Sequence, residues 1–326
     1  MIKAGIIGGA GYTAGELIRI LINHPKVEID FIYSTSNAKN PINQIHTDLV
    51  GETLLHFTDD INPSVDVVFL CLGHGHSEAI LKEHPFDTNT KVIDLSNEFR
   101  LKPNTHFENR DFVYGLPELQ KEIIQKAENI ANPGCFATTI QLALLPLAKY
   151  QHLEKDDLHI HAITGSTGAG QSLSTTTHFS WRNNNISSYK VFTHQHLGEI
   201  NQTLNQLQPD YQGDVNFIPL RGDFTRGIFA TVYTKTSVSL KEAKKEYENF
   251  YQNDPFTTIS NEPIHLKQVV GSNKCLLHID KHNDKLIITS VTDNLIKGAS
   301  GQAVQNMNLM FGFEETLGLK LKALFF

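Results

Sequence analysis

Of the chain's three cysteines, Cys135 is the one whose setting suits a nucleophile. Asn132-Pro133-Gly134 forces a turn before it, and an apolar run of Ile140, Leu142, Ala143, Leu144 and Leu145 follows. That pattern places Cys135 near the start of a helix, where unpaired N–H groups and the helix dipole favour a thiolate. A thiolate so placed can take an acyl group and carry it as a thioester. Cys71 lies in the apolar run Val65 to Leu72 and reads as core, and Cys275 lies in an expected strand with no evident partner. The segment His194-Gln195-His196-Leu197-Gly198-Glu199 offers a second kind of chemistry. A histidine titrates near neutral pH, and a carboxylate three residues on can orient or charge it. With sixteen histidines in the chain, these two alone read more readily as surface or interface residues. His74 and His76 have no further ligand nearby, so no metal is expected.

Glycines mark another site. The strand Ile2 to Ile7 leads into Gly8-Gly9-Ala10-Gly11-Tyr12-Thr13-Ala14-Gly15, then a helix and a second strand, Val27 to Tyr33. Such a strand–turn–helix–strand unit holds a dinucleotide, with pyrophosphate at the helix start. Gly8, Gly11, Tyr12, Thr13 and Gly15 are the candidate contacts. After the second strand, Ser34, Ser36 and Lys39 stand where an acidic residue would hold a ribose hydroxyl. Hydroxyls and a cation suit a 2′-phosphate, so the expected cofactor is NADP rather than NAD.

Elements must hold these groups in place. The 326 residues suggest two domains at roughly 100–200 residues each. The first reads as a Rossmann-type parallel sheet with a buried strand at Val65 to Leu72, another at Val92 to Leu95 and a short one at Asn129 to Ala131. The second reads as α+β with a mixed or antiparallel sheet. Its strands are expected at Leu158 to Thr164, Val215 to Pro219, Ile228 to Thr234, Val269 to Val270, Lys274 to Ile279 and Lys285 to Val291, with a helix over Lys241 to Tyr251. The fold class is therefore α/β. A formal net charge of -7 argues against nucleic acid and anionic membranes as partners. No secretory signal pattern or long apolar span is present, so a cytoplasmic protein with a small-molecule substrate is expected.

The chain resembles the N-acetyl-gamma-glutamyl-phosphate reductases of arginine biosynthesis, within the wider aspartate-semialdehyde dehydrogenase superfamily. The resemblance rests on Gly8 to Gly15, Val92 to Ser96, Tyr114 to Glu118, Asn132 to Cys135, Gly165 to Gly170, His194 to Glu199, Thr225 to Ile228 and Asp293 to Asn306, in the family's order. It implies Cys135 as nucleophile, His196 as general acid/base, and His194 and Glu199 as its companions. It implies NADPH-dependent reduction of an acyl phosphate through a cysteine thioester. Ser96, Arg100 and Ser166 are candidates for phosphate, Arg226 for substrate, and Asn294 for cofactor. It implies a final helix, Ala299 to Met310, returning to the first domain, hence domains of 1–145 plus 299–326 and 146–298. A homodimer or homotetramer through the second sheet is implied as well.

The chain departs from the family at Phe136, Gln171, Leu197-Gly198 and Pro219-Leu220-Arg221-Gly222-Asp223-Phe224. Arg221 stands where the family is apolar; it either pairs with Asp223 or meets a longer, acidic N-acyl group such as N-succinyl. The rival readings are aspartate-semialdehyde dehydrogenase, which the His194–His196 and Thr225–Ile228 segments disfavour, and a non-catalytic NADP-binding sensor, which needs no Cys135 thiolate.

Overall fold

The computed structural model describes residues 1–325. The chain forms two compact units, Met1–Gly134 with Ala299–Lys320, and Cys135–Gly298 with the described residues from Leu321 onward. Each unit carries one seven-stranded sheet. The division falls immediately before Cys135, not after its helix as expected from sequence, because that helix packs on the second sheet.

The first unit contains β1 (Ile2–Ile7), α1 (Tyr12–Leu21), β2 (Val27–Tyr33), β3 (Val67–Leu70), α2 (Ser77–Glu83), β4 (Lys91–Asp94), β5 (His106–Phe107), β6 (Arg110–Tyr114), α3 (Pro117–Ile124) and β7 (Asn129–Ala131). Its sheet order is β2-β1-β3-β4-β7-β6-β5, parallel except for the β5–β6 pair. All four residues of β3 are buried, as an interior parallel strand requires. The order reverses between β1 and β3, which opens a crevice at their carboxyl ends. Gly8 leaves β1 at φ +81, and a Cβ there would lie 2.6 Å from the Cys71 carbonyl oxygen. Glycine is thus required where β1 turns past the end of β3. The returning helix, Gly301–Met310, is buried throughout. It begins two residues later than expected, after a wider turn over Ile296–Ser300.

The second unit opens with α4 (Cys135–Lys149) and continues through β8 (Leu158–Thr164), α5 (Phe179–Arg182), β9 (Ser187–Ser188), α6 (His196–Leu207), β10 (Val215–Arg221) and β11 (Ile228–Lys235). It ends with α7 (Leu240–Tyr251), β12 (Thr257–Ser260), β13 (Cys275–His282) and β14 (Lys285–Thr292). The mixed sheet runs β12-β13-β14-β11-β8-β10-β9. Alternation is regular in β11, where Ile228, Ala230 and Val232 are buried and the residues between them are half-exposed. Val269–Val270 is not a strand: Val269 closes a short helical turn over Leu266–Gln268, held by its N–H to the Leu266 carbonyl at 3.0 Å. Among the described residues, no helix is long and apolar enough to cross a membrane.

Candidate active site

Cys135 is the first residue of α4 and is partly exposed. A Cβ on Gly298 would lie 2.8 Å from Cys135 Cβ, so only glycine lets that loop approach so closely. Phe136, the next residue, is 1% exposed. Its ring makes edge contacts with His194 at 5.5 Å, His196 at 6.3 Å and Phe217 at 5.2 Å. The second unit therefore brings together the cysteine turn and the histidine pair that the sequence separates.

His194 and His196 are both buried, with ring centroids 4.6 Å apart. The His196 backbone N–H donates to His194 Nδ1 at 3.2 Å, which leaves the His194 proton on Nε2. Burial lowers the His194 pKa to about 4, assisted by the Lys190 and Arg221 charges. His194 is thus a neutral imidazole that fixes the backbone at the start of α6. His196 Nε2 lies 3.9 Å from Glu199 Oε1, one turn along α6.

Tyr189 extends the cluster and carries no sequence motif. Its ring meets His194 edge-on at 5.7 Å and lies 4.6 Å from the Arg221 guanidinium carbon. Burial, with the Cys135 negative charge, raises its pKa to about 12 against the opposing pull of Arg221. The phenol stays protonated and can donate. Arg221 does not pair with Asp223 in the way one reading of the sequence suggested; Asp223 Oδ2 accepts the Asn184 N–H at 2.6 Å. Arg221 Nε is buried without a hydrogen-bond partner. Arg182, another residue without a motif, donates from Nη1 to the Arg221 carbonyl at 2.6 Å and so anchors the end of β10.

The other second-unit motifs form one laced cluster. Gly165 N–H donates to the Gly227 carbonyl at 2.9 Å, and Gly227 N–H to Asn294 Oδ1 at 2.7 Å. Asn294 Nδ2 donates to Thr167 Oγ1 at 3.0 Å. Asn294, expected at the cofactor, is 2% exposed and ties these loops together. Asp293 is fully buried and accepts from Leu295 N–H at 2.8 Å, Gly271 N–H at 2.8 Å and Arg226 Nη2 at 3.2 Å. Ser166 is half-exposed at the head of its turn.

In the first unit, α1 begins after Gly11, with Tyr12 exposed and Thr13 half-exposed. Ser36 and Lys39 are exposed beyond β2, while Ser34 is buried and accepts from Asn37 Nδ2 at 3.2 Å. Ser96 and Arg100 are buried. Ser96 Oγ donates to Asp94 Oδ2 at 2.7 Å, and Arg100 donates to the Asn132 carbonyl at 2.8 Å and the Leu95 carbonyl at 2.9 Å. Arg100 thereby clamps the loop ends of β4 and β7. Asn132 Oδ1 accepts from Asn306 Nδ2 at 3.1 Å, which joins the turn before Cys135 to the returning helix.

Comparison with known proteins places the chain in a family. A family described as semialdehyde dehydrogenase, NAD binding domain, matches residues 3–127, and one described as semialdehyde dehydrogenase, dimerisation domain, matches residues 135–294. The chain is 62% identical to an N-acetyl-gamma-glutamyl-phosphate reductase of Flavobacterium johnsoniae over 99% of both chains. It is 60% identical to one of Christiangramia forsetii over 100% of both. Solved structures share the fold, among them the following two. Aspartate semialdehyde dehydrogenase II of Vibrio cholerae, complexed with ASA, has a TM-score of 0.71 at 15% identity, covering 96% of this chain and 98% of that one. Aspartate semialdehyde dehydrogenase with NADP from Candida albicans has a TM-score of 0.70 at 13% identity, covering 95% and 98%.

Proposed function

The chain belongs to the N-acetyl-gamma-glutamyl-phosphate reductases, oxidoreductases with an NAD(P)-binding unit, and we propose that it reduces N-acetyl-gamma-glutamyl phosphate to N-acetylglutamate 5-semialdehyde and phosphate in arginine biosynthesis. The observation that carries this reading is Cys135 at the head of α4, with Phe136 packed on the two histidines.

The glycine turn fits a dinucleotide: Gly8 permits the tight turn out of β1, and Gly11, where a Cβ would meet nothing nearer than the Gly8 carbonyl oxygen at 3.9 Å, leaves room for phosphate at the start of α1, whose first-turn N–H groups have no intrahelical acceptor. NADP is proposed over NAD because Ser34, Ser36 and Lys39 follow β2 in place of a carboxylate. A bound NADPH supplies the hydride. The Cys135 thiolate attacks the acyl carbon, a C–S bond forms, and first-turn N–H groups of α4 stabilise the oxyanion. The C–O bond to phosphate then breaks and phosphate leaves with the electron pair, with His196 as the proposed proton donor to it. Once the acyl carbon is reduced, the C–S bond breaks, aldehyde departs and Cys135 returns as thiolate. Ser166 and Arg226 offer donors for the substrate's anionic groups. Ser96 and Arg100 hold the loop ends of β4 and β7.

The test is phosphate-dependent NADP+ reduction with N-acetylglutamate semialdehyde. Cys135→Ser removes turnover by about 10³-fold or more while NADP still binds. Wild-type turnover in the variant contradicts the mechanism, and a wild-type protein that binds NADP without turnover is a sensor instead.

A second reading concerns the acyl group. Arg221 is unsatisfied at Nε and seated on Tyr189 beside His194, which favours an N-acyl chain ending in a carboxylate, such as N-succinyl. A kcat/KM for N-succinyl-gamma-glutamyl phosphate above that for the N-acetyl compound, reversed by Arg221→Leu, supports it. A clear N-acetyl preference ends it.

A further inference from the structure

His46 lies 37 residues beyond Gly9, outside the glycine motif, yet its ring nitrogen Nε2 is 2.7 Å from the Gly9 carbonyl oxygen in a buried contact. A carbonyl only accepts, so Nε2 carries the proton and donates. The ring fills the space that a side chain at position 15 would take: a Cβ on Gly15 would lie 2.6 Å from His46 Nδ1. Phe57 holds the other side of the ring, with centroids 6.2 Å apart at 51°. The Gly8 and Gly9 N–H groups are both spent on the Tyr33 carbonyl, at 3.2 and 3.0 Å. Tyr33 thus fixes the donors of this turn, and His46 fixes its carbonyl.

We infer that His46 is a positioning residue for the dinucleotide: it sets the peptide at Gly9 and thereby the N–H groups of Ala10, Tyr12 and Thr13 offered to the pyrophosphate, the Gly11 N–H being spent on the Gly8 carbonyl at 3.4 Å. Gly15 is needed to admit the imidazole. This inference rests on the proposal that the turn takes NADPH.

The variants separate donor from bulk. His46→Phe keeps a ring against Phe57 and Gly15 but has no donor; His46→Leu removes both ring and donor; His46→Gln keeps an N–H at similar reach. NADPH affinity is measured by fluorescence titration, and kcat and the acyl-substrate KM at saturating NADPH. His46→Phe and His46→Leu are expected to raise the NADPH Kd about tenfold, with kcat and the acyl-substrate KM unchanged. His46→Gln stays within about threefold. Gly15→Ala, which displaces the ring, is expected to raise the NADPH Kd at least as much as His46→Phe. Wild-type NADPH affinity in both His46→Phe and His46→Leu overturns the inference. So does a weakening in His46→Gln as large as in His46→Phe. A wild-type enzyme that binds neither NADPH nor NADH removes the dinucleotide proposal itself.

Discussion

At Cys135 and its neighbours, protonation states separate the roles. Tyr189 stays a phenol and His194 a neutral imidazole, each for want of solvent around its charged form. The proposed mechanism therefore assigns the proton transfer to His196, whose Nε2 lies 3.9 Å from Glu199 Oε1. His196→Asn is expected to lower kcat by about 10²–10³-fold in the phosphate-dependent assay with NADP binding retained. The His194 pKa is about 4 when folded and 6.5 ordinarily. Between those values the unfolded chain binds the extra proton, so stability from this group is full above pH 6.5 and falls as pH drops toward 4. The wild-type Tm therefore declines from pH 7 to pH 5 more steeply than that of His194→Asn; equal slopes in the two proteins contradict the assignment. Cys135, His194, His196 and Glu199 stood out as candidates because each sits in a compact run of chemically suggestive residues, and the structure places the Phe136 ring beside Cys135 against both histidines. Tyr189, Arg182 and His46 were not. They lie in stretches with no periodicity, and only the folding of β10 and of the segment before Phe57 brings them to a site.

Helix α4 must hold Cys135 still although Pro146 interrupts it. Proline has no N–H to give the Leu142 carbonyl four residues earlier, and its ring crowds that turn. Two tyrosines of α7 compensate. Tyr251 donates to the Leu142 carbonyl at 2.5 Å and Tyr247 to the Ala143 carbonyl at 2.5 Å. Tyr251→Phe should cost about 1–3 kcal/mol by denaturant unfolding, since it leaves a buried carbonyl unmet. In a Pro146→Ala background the helix supplies its own donor and the cost shrinks. An unchanged cost there argues against this account. The apolar run after Cys135 announced α4, but not the proline's remedy, which comes from a helix about a hundred residues later. The same limit explains Val269–Val270: two β-branched residues suggested a strand, while local hydrogen bonds from the Leu266–Gln268 turn closed it differently.

The whole chain reads as two units because its periodicity changes from buried parallel strands to alternating ones, and that change was legible. The exact division was not, since α4 is apolar enough to suit either unit. The second sheet leaves one face of β11 and β14 half-exposed, with Thr231, Tyr233, Ile287 and Thr289 upon it. The proposed homodimer or homotetramer would cover this face. Thr231→Arg with Ile287→Arg is expected to give a smaller species by light scattering with the Tm little changed, whereas an unaltered mass places the interface elsewhere. The thioester on Cys135 is the central claim, and intact-mass spectrometry reads it directly. Enzyme mixed with N-acetylglutamate semialdehyde and NADP+ without phosphate, then acid-quenched, should carry one acyl group, mapped to the Cys135 peptide and discharged by added phosphate. Phosphate-dependent turnover with no acyl adduct under these conditions, or an adduct that persists in Cys135→Ser, would contradict it.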